Sequence, residues 1–163
     1  MPTSILKMKN PDPFIMDEDT VNSAVANFLL SKEFECDPPL TGKQRGVDVK
    51  AQKGDIVILV ESKGSQKNGA PEDEVFDHGQ IVNHLARQIH TLMKYATQFD
   101  ADNTIFVMAN PDIPRIRAEY NRAVKMVQKM QFVCMWVQQD QSIILEVPEE
   151  MKTLLKELGL TAS

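Results

Sequence analysis

Apolar residues recur along the chain at two periods, and the switches between those periods outline its elements. Val21, Ala24, Val25, Phe28 and Leu29 keep helical spacing within residues 17–32, behind a first turn carrying Asp17, Glu18 and Asp19, where a helix dipole favours acids. After a short strand at 34–36 and the Pro38-Pro39 break, residues 47–52 and 55–63 read as two strands around Lys53-Gly54, an antiparallel hairpin. The polar stretch 64–77, with Gly, Pro and several acids, predicts a mobile loop. A second helix follows over about 77–98, with Ile81, Leu85, Ile89, Leu92 and Met93 as its inward set. Beyond it come a buried strand at 104–108, a turn at 110–114, and a third helix carrying Ile116, Tyr120, Ala123, Val124 and Val127. A strand at 132–137, with Met135 and Trp136 in the core, a return strand at 143–147 and a terminal helix at 148–158 complete the chain.

This order predicts an α/β fold with a mixed sheet flanked by helices, built as one domain over residues 1–163 with 1–16 as an extended N-terminal arm. Composition narrows the picture. The chain has 163 residues, 42% of them hydrophobic and 25% charged, and no apolar run approaches the roughly 18 residues of a membrane span. No secretion signal is visible at the N-terminus, so the expected location is the cytoplasm. Cys36 and Cys134 lack metal-ligand spacing and read as reduced, mostly buried thiols. A net charge of −5 argues against a general nucleic-acid coat, so any nucleic-acid contact must come from a local basic patch. Two such groups exist: Lys43, Arg45, Lys50, Lys53, Lys63 and Lys67 around the hairpin, and Arg115, Arg117, Arg122, Lys125 and Lys129 on the third helix. The first surrounds the candidate chemistry and the second is assigned to solvent.

That chemistry lies where the apolar run 56–60 ends in Glu61-Ser62-Lys63. Alternation puts Glu61 and Lys63 on one face of their strand. With Lys53-Gly54 as a two-residue turn, Asp48 stands opposite Leu59 and Glu61 is its diagonal neighbour, close enough for two carboxylates to lean toward one hard cation. Glu18, on the inward side of the first helix, offers a third carboxylate.

The layout Gly46-Val47-Asp48, a hairpin, then Glu61-Ser62-Lys63, with Glu18 on a preceding helix, resembles the PD-(D/E)xK nuclease superfamily, whose fold is called restriction-endonuclease-like. The element order from Asp17 to Val137 is similar to that family's α-β-β-β-α-β core, here followed by α-β-β-α additions. Gly-Val-Asp with Glu-Ser-Lys-Gly, and Ile105-Phe-Val-Met-Ala-Asn-Pro ahead of a basic helix, are similar to Holliday-junction resolvase and Mrr-type members. Val47 stands where the family name has proline. The resemblance implies Mg (or Mn) held by Asp48, Glu61, the Ser62 carbonyl and Glu18, with Lys63 positioning a water and DNA as substrate. It also implies an accessory role for Gln80, which shares a helix face with His84, and makes Lys43 and Arg45 candidates for phosphate contact. A homodimer would set two sites on two strands.

Three other readings compete. Asp48, Glu61 and Lys63 could be an exposed ion-pair cluster worth about 0–1 kcal/mol. The fold could serve as an inactive nucleic-acid-binding or assembly module. An enzyme of small phosphorylated compounds would call for a Gly-rich phosphate loop, which the sequence lacks.

Overall fold

A computed structural model describes residues 1–38, 46–99 and 102–162. Lys43 and Arg45 therefore lie outside the described residues. The strands are β1 (Thr3–Ser4), β2 (Glu35–Cys36), β3 (Val49–Lys53), β4 (Ile56–Ser62), β5 (Glu74–Val75), β6 (Thr104–Pro111), β7 (Val133–Val137) and β8 (Ile143–Glu146). The α-helices are α1 (Glu18–Ser31), α2 (His78–Gln98), α3 (Pro114–Asn121), α4 (Val124–Lys129) and α5 (Lys152–Glu157). A six-stranded mixed sheet runs in the order β2-β3-β4-β6-β7-β8, with β4, β6 and β7 parallel and the outer pairs antiparallel. Parallel neighbours need crossovers, which α2 supplies between β4 and β6, and α3 with α4 between β6 and β7.

Both faces of the central strands are buried, which explains their nearly unbroken apolar sequence. Ile58, Val60, Ile105, Val107, Val133 and Met135 pack on one side with Val21, Val25 and Leu29 of α1 and Leu155 of α5. Leu59, Phe106, Met108, Cys134 and Trp136 pack on the other with Ile81, Leu85 and Leu92 of α2, Tyr120 of α3 and Val127 of α4. Both cysteines are free thiols, Cys134 buried and Cys36 partly so. Among the described residues, no helix is long and apolar enough to cross a membrane.

Four details depart from expectation. The third helix is two, because Ala123 leaves helical geometry (φ −118°, ψ 3°) and the turn tightens through an Arg122 N–H bond to the Glu119 carbonyl (3.2 Å). Met93 is 45% exposed; the buried stripe of α2 is Ile81, Leu85, Gln88 and Leu92. The segment 64–77 is stitched down. Its β5 pairs with β1, Ser65 and Met16 exchange backbone and side-chain bonds, and Gln66 Nε2 ties Pro71 and Glu74 carbonyls at 3.2 and 3.0 Å. Finally, Arg115 and Arg117 are engaged rather than merely solvated. Arg115 grips the buried Asp12 with two 2.7 Å bonds, anchoring the N-terminal arm to α3, while Arg117 pairs with Asp112 and covers the Trp136 ring at 4.1 Å.

Candidate active site

The hairpin sets the first two carboxylates. Gly54 takes a positive φ of 59° at the first turn position, so the turn is Gly54-Asp55 and Lys53 pairs with Ile56. Pairing runs on to Val49 and Val60, and one further step sets Asp48 opposite Glu61. The register expected from sequence is two residues off. An even slip preserves the face, so both side chains still point the same way, now as direct rather than diagonal neighbours. The Ser62 N–H donates to Asp48 Oδ2 at 2.8 Å, which fixes that carboxylate beside the Ser62 main chain.

Glycine sets the third. A Cβ on Gly64 would stand 2.5 Å from the Glu18 nitrogen and 2.8 Å from the Met16 oxygen, so only glycine lets the chain leaving β4 press against the start of α1. Asp17 caps that helix by accepting the Thr20 N–H (2.8 Å), and the Ser65 N–H donates to the Met16 carbonyl (2.7 Å) at the same contact. Glu18, the first helical residue, is thereby held beside Lys63, and the two line one cleft.

The resulting electrostatics are unfavourable for three ionised acids. Burial pushes the Glu61 carboxyl up to about 8, and the Asp48 charge adds to the rise while Lys63 opposes it. Glu18 is pushed up to about 7, again by burial first and Asp48 second. Asp48 is also raised by burial, against the Ser62 N–H and Lys63. One ammonium does not balance three half-buried carboxyls, and the donors are all hard oxygens, the set that magnesium or manganese takes. Among the described residues no three His, Cys, Asp or Glu side chains stand assembled as a metal cage. Magnesium does not require one, since it keeps several waters and binds through one or two carboxylates. In that sense the residues fit the ion.

Helix α2 contributes residues that sequence reasoning missed. Gln88 is fully buried; its Nε2 donates to the Glu61 carbonyl (2.8 Å) and the Ala109 carbonyl (3.2 Å), and its Oε1 accepts from Asn110 Nδ2 (3.1 Å). It therefore holds the backbone that carries Glu61. Burial, and after it the Glu61 and Asp48 charges, push the Tyr95 hydroxyl up to about 12. The signal for Gln88 is its place in the buried stripe, three residues after Leu85 and four before Leu92. Gln80 serves the helix instead. Its Oε1 accepts the Asp77 N–H while Asp77 accepts the Gln80 N–H, a capping box at the start of α2.

The basic group around the hairpin divides. Lys63 and Lys67 line the cleft beside Glu18, together with His84. Lys53 lies at the opposite end of the sheet, where its ammonium bonds the Lys32 (3.0 Å) and Leu158 (2.9 Å) carbonyls at the ends of α1 and α5. Compared with known protein families, with curated proteins and with solved structures, the chain has no match in any of the three.

Proposed function

We propose that this chain is a divalent-metal-dependent nuclease that hydrolyses DNA phosphodiester bonds through a PD-(D/E)xK-type site. The observation that carries the reading is the half-buried Asp48–Glu61 pair, opposed across the hairpin with Glu18 and Lys63 beside it. The antiparallel β2-β3-β4 unit, followed by α2 and the parallel strand β6, supports a restriction-endonuclease-like arrangement.

In this reading Asp48, Glu61 and the Ser62 main-chain carbonyl would hold Mg or Mn, with Glu18 completing the acidic rim. The bound ion supplies Lewis acidity toward phosphate and an acidified water. Lys63 donates a hydrogen bond that orients the attacking water and offsets the charge gathering on phosphate oxygens. Gln88 keeps the Glu61 backbone in register with β6, so the carboxylate needs no reordering when substrate arrives. A homodimer would address both strands of a duplex.

The test is DNA cleavage with magnesium by the wild type and by Asp48→Asn, Glu61→Gln and Lys63→Met proteins of native circular dichroism. Each substitution should lower the rate by at least about a hundredfold, the scale of one electrostatic group at a reacting centre. Folded variants that cut as fast as wild type would overturn the proposal. A wild type that binds DNA and leaves it intact would point instead to an inactive nucleic-acid-binding module.

A further inference from the structure

Next to the carboxylates, Lys63 opens into a cleft of about 390 Å³ whose walls include Glu18, Lys67, Asn68, Phe76 and His84. Lys63, Lys67 and Asn68 supply donors, while Glu18 and the Gln66 side-chain carbonyl, whose Nε2 is spent on Pro71 and Glu74, supply acceptors. Lys67 is exposed and pairs with no carboxylate among the described residues. Asn68 uses its Oδ1 to accept the Asp19 N–H at 3.1 Å, which leaves its amide NH₂ as the group to offer a ligand. His84 has a buried Nδ1 with no hydrogen-bond partner among the described residues. Its ring meets Phe76 edge to face, with centroids 4.3 Å apart, so the aromatic wall is a fixed pair rather than a loose side chain.

Ammonium and amide donors beside an aromatic wall match a phosphate joined to a base. At about 390 Å³ the cleft is near the small end of ligand sites, a size that matches one nucleotide. Glu18 on the carboxylate side disfavours a bare phosphate there, which directs the phosphate toward Lys63 and Lys67. We infer that this cleft binds a single unpaired nucleotide of a DNA strand, so that the protein engages single strands, flaps or frayed ends in preference to continuous duplex. For its catalytic consequence the inference rests on the nuclease reading; for binding it does not. A continuous duplex would have to extrude a nucleotide to fill the cleft, at the cost of unstacking.

The experiment measures fluorescence anisotropy of a labelled oligothymidylate and of a blunt duplex of equal length, in EDTA so that nothing is cut. The single strand should bind at least about tenfold tighter than the duplex, and Lys67→Ala and Phe76→Leu should each weaken it about five- to tenfold. Lys67 is on the surface, so its variant carries the test should Phe76→Leu fail to fold. Equal affinity for both DNAs, or unchanged single-strand binding in a folded Lys67→Ala protein, would overturn the inference. So would thymidine monophosphate competing as well as the unlabelled oligothymidylate, which would make the ligand a free nucleotide. The two proposals fail separately. Strand-selective binding without magnesium-dependent cleavage leaves the cleft and removes the nuclease. Cleavage that needs Asp48 and Glu61 but keeps wild-type strand preference in both cleft variants removes the cleft alone.

Discussion

Gln88 is the polar residue on which the fold and the candidate site both depend, and Gln88→Leu isolates its contribution. Leucine fills a similar volume, so the substitution removes hydrogen bonds while opening little cavity. Asn110, 1% exposed, loses the acceptor for its Nδ2, and a buried orphaned donor costs about 1–3 kcal/mol. The Glu61 and Ala109 carbonyls lose their side-chain donors at 2.8 and 3.2 Å, but each keeps a backbone partner in the β4–β6 ladder, the Lys63 N–H at 3.0 Å for Ala109, so together they add at most about 1 kcal/mol. Allowing for the apolar surface leucine buries, the net destabilisation should be about 2 kcal/mol. Urea unfolding followed by the fluorescence of Trp136, the one tryptophan and fully buried, reads this directly at constant m-value. Adding Asn110→Ala removes the orphan, so the double variant should be more stable than the sum of the single losses by about 1 kcal/mol. Strict additivity, or a Gln88→Leu protein as stable as wild type, would refute the claim that this network is satisfied and costly to break.

Three further outcomes follow from particular contacts. Gly64→Ala must push the start of α1 away from the end of β4; it should cost about 1–3 kcal/mol in the same assay and weaken magnesium binding, whereas a wild-type denaturation midpoint would contradict the close approach. Lys53→Met removes the ammonium from two helix ends and should cost about 1–2 kcal/mol with magnesium affinity unchanged, because it acts at the far end of the sheet. Glu61 and Glu18 keep their protons to about 8 and about 7 when folded, against about 4.3 when unfolded, so the native state binds more protons between these values. Their contribution to stability is full below the unfolded value and is lost as pH rises through the folded ones. His84, lowered by burial and by Lys63, works in the opposite sense, so the readout is the difference between wild type and Glu61→Gln. The wild type should lose more stability than the variant between about pH 5 and 8, and an identical pH profile would contradict the crowded carboxyl cluster.

The parts of this molecule that are legible in its sequence are those with periodicity. Residues 21–29 and 81–92 mark helices because their apolar spacing has to face a sheet, and 56–60 and 104–108 mark central strands because both faces are buried. Asp48, Glu61 and Lys63 fall on one face whichever even register holds, so their convergence is readable even with the turn placed one residue early. The two-residue strands β1 and β5 carry no period, and their pairing across some seventy positions is long-range, which is why 64–77 reads as a free loop. Lys53 groups with the cleft lysines in sequence because proximity along the chain is blind to strand ends: its neighbours in space are the carbonyls of Lys32 and Leu158. Gln88 draws less notice than Gln80 in the sequence, yet a glutamine in the middle of an apolar stripe has to find buried partners, and that inference needs only helical spacing.

Isothermal titration of magnesium and manganese into wild type and an Asp48→Asn/Glu61→Gln protein tests the central claim most directly. Binding in the wild type, with proton release that grows as pH falls below about 8 and with no heat in the folded double variant, is the result expected of a carboxyl cluster that trades its protons for a cation. Absence of binding in the wild type above pH 8 with DNA present, or binding that persists in the double variant, would show that these carboxylates do not hold the ion.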